Sequence, residues 1–163
     1  MSGSDWVIVA VGSNQGDPRQ NVRQAFQRLQ EFSDHPILKS TLWETAPVDC
    51  PPGSSPFINA VAMLKPRQGE TPVSLLQKLQ QLEREFGRQP KKVLNESRPL
   101  DLDLIAFGEE TRSTRELELP HPRAHLREFV LGPLAEIAPE LLLPGQMLPI
   151  GALFTRLRNQ SPW

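Results

Sequence analysis

Apolar positions along this chain switch between a strand period and a helix period, and the switches mark its elements. The run WVIVAV predicts a buried strand over residues 6–11. In the turn GSNQGDP that follows, Asp17 can cap a helix whose first residue is Pro18. Val22, Ala25, Phe26 and Leu29 then recur at helical spacing. Strands are predicted over 37–45 and 57–65, separated by a long proline-rich loop of the kind that often carries function. TPVSLLQKLQQLEREFG reads as a second helix, with Thr71 as cap, Pro72 at its first position, a stripe through Leu75, Leu76, Leu79, Leu82 and Phe86, and Gly87 as stop. A strand containing RPLDLDLI comes next, then a short hairpin near 110–119, a helix over 127–137 and a short terminal helix over 150–157.

Strand, helix, strand, strand, helix, strand is the order of the split β-α-β arrangement. The expected class is therefore α+β: a ferredoxin-like core, with helices packed on an antiparallel sheet and extra C-terminal helices and a hairpin. At 163 residues, 1–163 is expected to form a single domain that buries its own core. No repeat, linker or fused partner domain is expected.

In RPLDLDLI, Leu100, Leu102 and Leu104 should face one side of a strand and Asp101, Asp103 and Ile105 the other. Two residues of rise separate the aspartate Cα atoms by roughly 6.5 Å, so both carboxylates can reach one site, where their like charges repel. An amphipathic strand with a solvated face shows the same alternation. Aspartate is a poor strand former, however, and Arg98 lies just upstream, which favours a shared cation. If that cation is magnesium, its partner should be a phosphate, since Mg²⁺ is usually held by one or two carboxylates plus substrate oxygens.

Charge composition narrows the partners. Eighteen basic residues against nineteen acidic ones give a net charge of −1, with no broad footprint for nucleic acid or anionic membrane. An anionic ligand must be gripped locally. The available cations are Arg88, Lys91, Lys92, Arg98 and the cluster PHPRAHLR, with His121, Arg123, His125 and Arg127. The single Cys50 excludes an internal disulfide and fits a reducing cytoplasm. WVIVAV is too short to span a membrane and lacks the flanks of a signal peptide.

GSNQGD lacks the lysine and hydroxyl of a P-loop and reads mainly as a strand-to-helix turn. No nucleophile elbow or Cys–His pair is present, and Ser13, Ser97 and Cys50 read as structural. Asn59 interrupts an apolar strand and, if buried, must be hydrogen-bonded.

Together VGSNQGD, ETAPV, FINAVA, EREFGR, RPLDLDLIAFG, LPHPR, REFVLGPLAEIAPEL and the final Trp163 resemble the 6-hydroxymethyl-7,8-dihydropterin pyrophosphokinases of folate biosynthesis, in order over nearly the whole chain. RPLDLDLIAFG followed by LPHPR is the specific part; GSN or EIAPEL alone is weak. The resemblance implies transfer of the β,γ-pyrophosphoryl group of ATP to the pterin hydroxymethyl oxygen, with release of AMP and two Mg²⁺ ions on the phosphates. It also implies a monomer with loops closing over both substrates. On matching positions, Asp101 and Asp103 would hold metal, and Arg88 and Arg98 would act on the transferring phosphates. Gln80, Glu83, Lys91, His121 and Arg127 would join those arginines around ATP. The pterin would lie between Phe57 and Phe129, with Asn59 and Thr45 on its edge and the backbone around Val48 lining the pocket. Asp103 and a metal-bound water both stand as acceptors for the hydroxyl proton.

Four positions depart from the usual family pattern. Pro90 replaces an arginine, Asn95 a tryptophan, Pro122 a common tyrosine and Glu116 a common arginine. These changes bear on loop closure and ATP affinity. They also keep a second reading open, a catalytically impaired paralogue that binds pterin and ATP. A nucleotidyltransferase would place its Gly-Ser turn close to the D-x-D strand, whereas here two strands and two helices separate them. An RNA-binding module would need an aromatic strand and a basic face.

Overall fold

The computed structural model describes residues 5–46, 56–87 and 99–160. In chain order the elements are β1 (Val7–Ser13), α1 (Pro18–Leu29), β2 (Leu38–Lys39), β3 (Trp43–Thr45), β4 (Phe57–Leu64), α2 (Pro72–Glu85), β5 (Asp101–Phe107), β6 (Arg112–Ser113), β7 (Glu118–Leu119), α3 (Glu128–Ile137) and α4 (Ile150–Gln160). The main sheet runs β2-β4-β1-β5, with β3 also on β4, and every pairing is antiparallel. With β2 and β3 counted as one broken strand, this is the ferredoxin-like order that the alternation of elements predicts. The predicted hairpin is present as β6 paired with β7.

Both faces of the sheet are covered. On one, Val22, Ala25, Phe26 and Leu29 of α1 and Leu75, Leu79 and Leu82 of α2 pack with Val7, Val9, Val11, Leu102 and Leu104. On the other, Val130, Leu131 and Leu134 of α3 and Ile150 and Leu153 of α4 pack with Ile8, Val61, Met63 and Ile105. Covering on both sides explains why β1 reads as an unbroken apolar run: apart from partly exposed Ala10, its residues are buried on both faces. No helix among the described residues is long and apolar enough to cross a membrane.

Local chemistry sets the helix ends as their sequences suggest. Asp17 accepts from the Gln20 N–H at 3.3 Å to start α1. Thr71 and Ser74 cap α2 reciprocally: the Thr71 hydroxyl accepts from Ser74 N at 3.1 Å, and the Ser74 hydroxyl accepts from Thr71 N at 2.9 Å. Gly87 follows at a φ of 95°, a left-handed conformation that ends the helix at little cost only for glycine.

Among the boundaries that differ from expectation, those of two strands shape the sheet. β1 continues through Gly12 and Ser13, because Gly12 pairs with Asn59 on one side and Asp101 on the other. The strand predicted over 37–45 is broken between β2 and β3. Ser40 N donates to Val61 O, while Val61 N donates to the Ser40 hydroxyl rather than to a backbone carbonyl, both at 2.9 Å. A side chain thus takes over one rung, and the register on β4 slips by one residue between Lys39↔Ala62 and Trp43↔Asn59. Ser40→Ala leaves the N–H of fully buried Val61 without its acceptor. It is expected to cost about 1–3 kcal/mol, seen as a lower urea midpoint at unchanged m-value.

Candidate active site

The antiparallel registers line up one transverse row across the sheet: Trp43 opposite Asn59, Asn59 opposite Gly12, and Gly12 opposite Asp101. Strands in a sheet lie about 4.8 Å apart, so Asn59 and Asp101, two strands apart, stand roughly 10 Å from each other across Gly12. The glycine is required for contact rather than for a turn. A Cβ at Gly12 would sit 2.9 Å from Asn59 Oδ1 and would fill the floor between the two polar groups.

On the β4 side of this row, Asn59 Nδ2 donates to the Thr45 hydroxyl at 2.7 Å. That bond orients the amide, with Oδ1 toward Gly12. Phe57, two residues before Asn59 and therefore on the same face, pairs with Thr45. The predicted Thr45, Phe57 and Asn59 therefore do come together, and all three are partly exposed.

On the β5 side, Asp101 and Asp103 are partly exposed and point away from Leu102 and Leu104, which lie in the α1/α2 core. Arg127, at the start of α3, places Nη1 3.9 Å from Asp103 Oδ2. The same guanidinium lies 5.5 Å from the centre of the Phe129 ring, a cation–π contact that ties the aspartate strand to the exposed aromatic.

His121 reaches the site through a β-bulge. Ile8 pairs with Ala106 but Val9 with Leu104, so Ile105 has no partner on β1. Its carbonyl instead accepts from His121 N at 2.8 Å. Burial pushes the His121 imidazole down to about 4, helped by the nearby positive charges of Arg127 and Arg123 and opposed by Asp101. The ring is therefore neutral at pH 7. Arg123 N donates to its Nδ1 at 3.2 Å, which leaves Nε2–H as a donor suited to a phosphate oxygen.

The strand carrying the aspartates is an edge strand, and side chains from elsewhere hold it. Glu83 is 8% exposed, and Oε2 accepts from Leu102 N at 2.7 Å, at the residue between the two aspartates. Gln80, one turn earlier, is exposed on the surface of α2. The Ser13 hydroxyl donates to Pro99 O at 2.6 Å, and Asn21 Nδ2 reaches the same carbonyl at 3.2 Å. Ser13 and Asn21 escaped the sequence reading as contributors to this region. The available signal was a hydroxyl ending a buried strand, which must find a partner. Arg88, Lys91, Lys92, Arg98, Val48, Pro90 and Asn95 lie outside the described residues, while Pro122 and Glu116 are exposed. A cavity of about 360 Å³ lined by Asp5, Asp34, His35, Lys65 and Glu109 lies near the opposite end of β1 and contains none of these groups.

The fold has counterparts among solved structures. The HPPK-DHPS of Plasmodium falciparum, solved with pteroate, superposes with a TM-score of 0.72 at 15% identity, over 95% of this chain and 43% of that one. That likeness establishes the fold. The family described as 7,8-dihydro-6-hydroxymethylpterin-pyrophosphokinase (HPPK) matches residues 8–139. The 2-amino-4-hydroxy-6-hydroxymethyldihydropteridine pyrophosphokinase of Pseudomonas aeruginosa is 39% identical over 148 residues, 88% of this chain and 87% of its own. That of Haemophilus influenzae is 34% identical over 141 residues, 86% of each. The chain belongs to the HPPK family, as its motifs suggest.

The His121 environment makes a pH prediction. Its folded value lies below the ordinary 6.5, so between about 6.5 and about 4 the unfolded chain binds more protons than the folded one. Stability must therefore fall as pH drops through that window. His121→Asn should show a shallower loss than the wild type when urea unfolding is compared at pH 7 and pH 4.5, and identical slopes would refute the assignment.

Proposed function

We propose that this chain transfers the pyrophosphoryl group of ATP to 6-hydroxymethyl-7,8-dihydropterin on the sheet face that carries Asn59 and Asp101, with the pterin over β4 and the phosphates over β5. The observation that carries this division is the shared row, in which Asn59 and Asp101 flank one glycine. A flat amide-rich heterocycle wants aromatic faces and a few fixed polar partners. Phe57 and Phe129 supply the first, and the Thr45-oriented amide of Asn59 the second.

Asp101 and Asp103 fit magnesium, which accepts two carboxylates on neighbouring strand positions and fills its remaining positions with phosphate oxygens and water. Among the described residues no group of three or more His, Cys, Asp or Glu side chains is suited to a metal, and in this reading the two aspartates are completed by phosphate oxygens and water. When bound, magnesium would neutralise phosphate charge as it shifts toward the leaving AMP.

The chain's own groups then act by position and charge. Arg127 is within reach of both Asp103 and a phosphate beside it, and neutral His121 offers Nε2–H. The hydroxymethyl oxygen attacks the β-phosphorus, the bond from that phosphorus to the oxygen bridging the α-phosphorus breaks, and AMP carries that oxygen away. The hydroxyl proton leaves toward Asp103 or solvent. Holding the oxygen in line with the phosphorus contributes much of the rate without any covalent intermediate. Arg88, Arg98, Lys91, Gln80 and Glu83 complete the nucleotide side in this reading, Glu83 by holding the backbone between the aspartates.

A monomer in a reducing cytoplasm completes this reading, the single cysteine being the feature that supports the compartment. Purified protein with Mg-ATP and 6-hydroxymethyl-7,8-dihydropterin should release AMP in step with pterin pyrophosphate. Asp103→Asn should lower kcat by roughly a hundredfold or more, since metal stabilisation is worth several kcal/mol and each 1.4 kcal/mol is tenfold. Release of ADP would overturn the reaction type, and pterin binding without turnover would identify an impaired paralogue.

A further inference from the structure

Behind the pterin side of the face, Trp43 occupies an unusual seat. It projects from β3 on the same side as Thr45 and lies opposite Asn59 in the sheet. Its indole rests on Gly132 of α3 so closely that a Cβ on that glycine would fall 2.3 Å from Cη2 and 2.5 Å from Cζ3. Nε1 donates to Glu136 Oε1 at 2.9 Å, and the ring meets Phe154 of α4 edge-on at 6.0 Å. Thr41, two residues before Trp43, donates to the same Glu136 carboxylate at 2.8 Å.

Gly132 is otherwise hard to explain. Glycine inside a helix costs about 1 kcal/mol relative to alanine, and here it buys room for an indole. Gly132 lies three residues after Phe129 and four before Glu136, so the three share one stripe of α3. One side chain thus touches the strand that holds Thr45 and the helix that carries Phe129.

We propose that Trp43, seated on Gly132 and fastened to Glu136, is a positioning residue for pterin recognition: it sets the distance of Phe129 from Phe57 and Asn59. A planar ring in contact on both faces needs its two aromatic walls roughly 7–8 Å apart, twice an ordinary carbon contact. A small shift of α3 would spoil that spacing, whereas among the described phosphate-side groups it would carry Arg127 alone, since Asp101, Asp103 and His121 lie on other segments. The inference rests on the reading that the pterin lies between Phe57 and Phe129.

The test measures KM for pterin and for ATP, kcat at saturation, and binding of 6-hydroxymethylpterin in the presence of magnesium and a non-hydrolysable ATP analogue. Gly132→Ala should raise the pterin KM and Kd at least tenfold, with the ATP KM within about threefold of wild type. Adding Trp43→Leu to it should recover most of the loss, because the smaller side chain accommodates the new methyl. Should Gly132→Ala fail to fold, Trp43→Phe keeps the glycine and should raise the pterin Kd severalfold. A normal pterin KM in both variants, equal rises for the two substrates, or no recovery in the double variant would overturn the proposal. Asn59→Ala separates the two levels. If it leaves pterin binding intact, the location of the pterin is wrong; if it weakens binding while Gly132→Ala does not, only the spacer role fails.

Discussion

A central strand paired on both edges is the constraint from which the site follows. Because β1 hydrogen-bonds to β4 and β5 at once, each residue on it fixes a partner on either side, and Gly12 fixes Asn59 and Asp101. Two groups far apart in sequence are thereby held in one row without touching each other. The missing side chain at Gly12 matters as much as the pairing, since any Cβ would press on Asn59 Oδ1 and raise the floor between them. The row gives a heterocycle and a phosphate chain adjacent places on one surface, an arrangement suited to a reaction governed by alignment.

An edge strand is a weak place to mount two like charges, and the molecule reinforces it at four points. Glu83 satisfies an outward N–H of β5 from the helix layer beneath. Ser13 and Asn21 hold the chain at Pro99, just before β5 begins. The bulge at Ile105 gives its carbonyl to His121 N and brings the imidazole toward Asp101. Arg127 closes the group from the opposite layer, sharing its guanidinium between Asp103 and Phe129. These are backbone attachments or single charge contacts, so they restrain position more than they add stability.

Much of this was legible in the chain because local rules and tertiary demands agree. Asp17, Thr71 and Gly87 bound their helices where cap chemistry says they should, and the DLDL alternation separates leucines from aspartates across the sheet. Where they disagree, tertiary structure wins. Ser40 reads as one more strand residue, yet its hydroxyl substitutes for a carbonyl and breaks the strand. Glu83 reads as a helix carboxylate near nucleotide, yet it is buried against a backbone N–H. Gly132 carries no signal in the helical pattern of 127–137, and the indole packed on it supplies the reason for a glycine there.

Periodicity, caps and motifs are properties of neighbouring residues, so the chain alone carries the class of fold, the order of its elements, the family and the residue types available for chemistry. Which of those residues meet is set by packing between distant segments. The one-residue slips at Ser40 and Ile105, the row through Gly12 and the seat of Trp43 arise from strand pairing and helix packing between distant segments. Such contacts depend on register and on the space left by other side chains, and no local pattern encodes either.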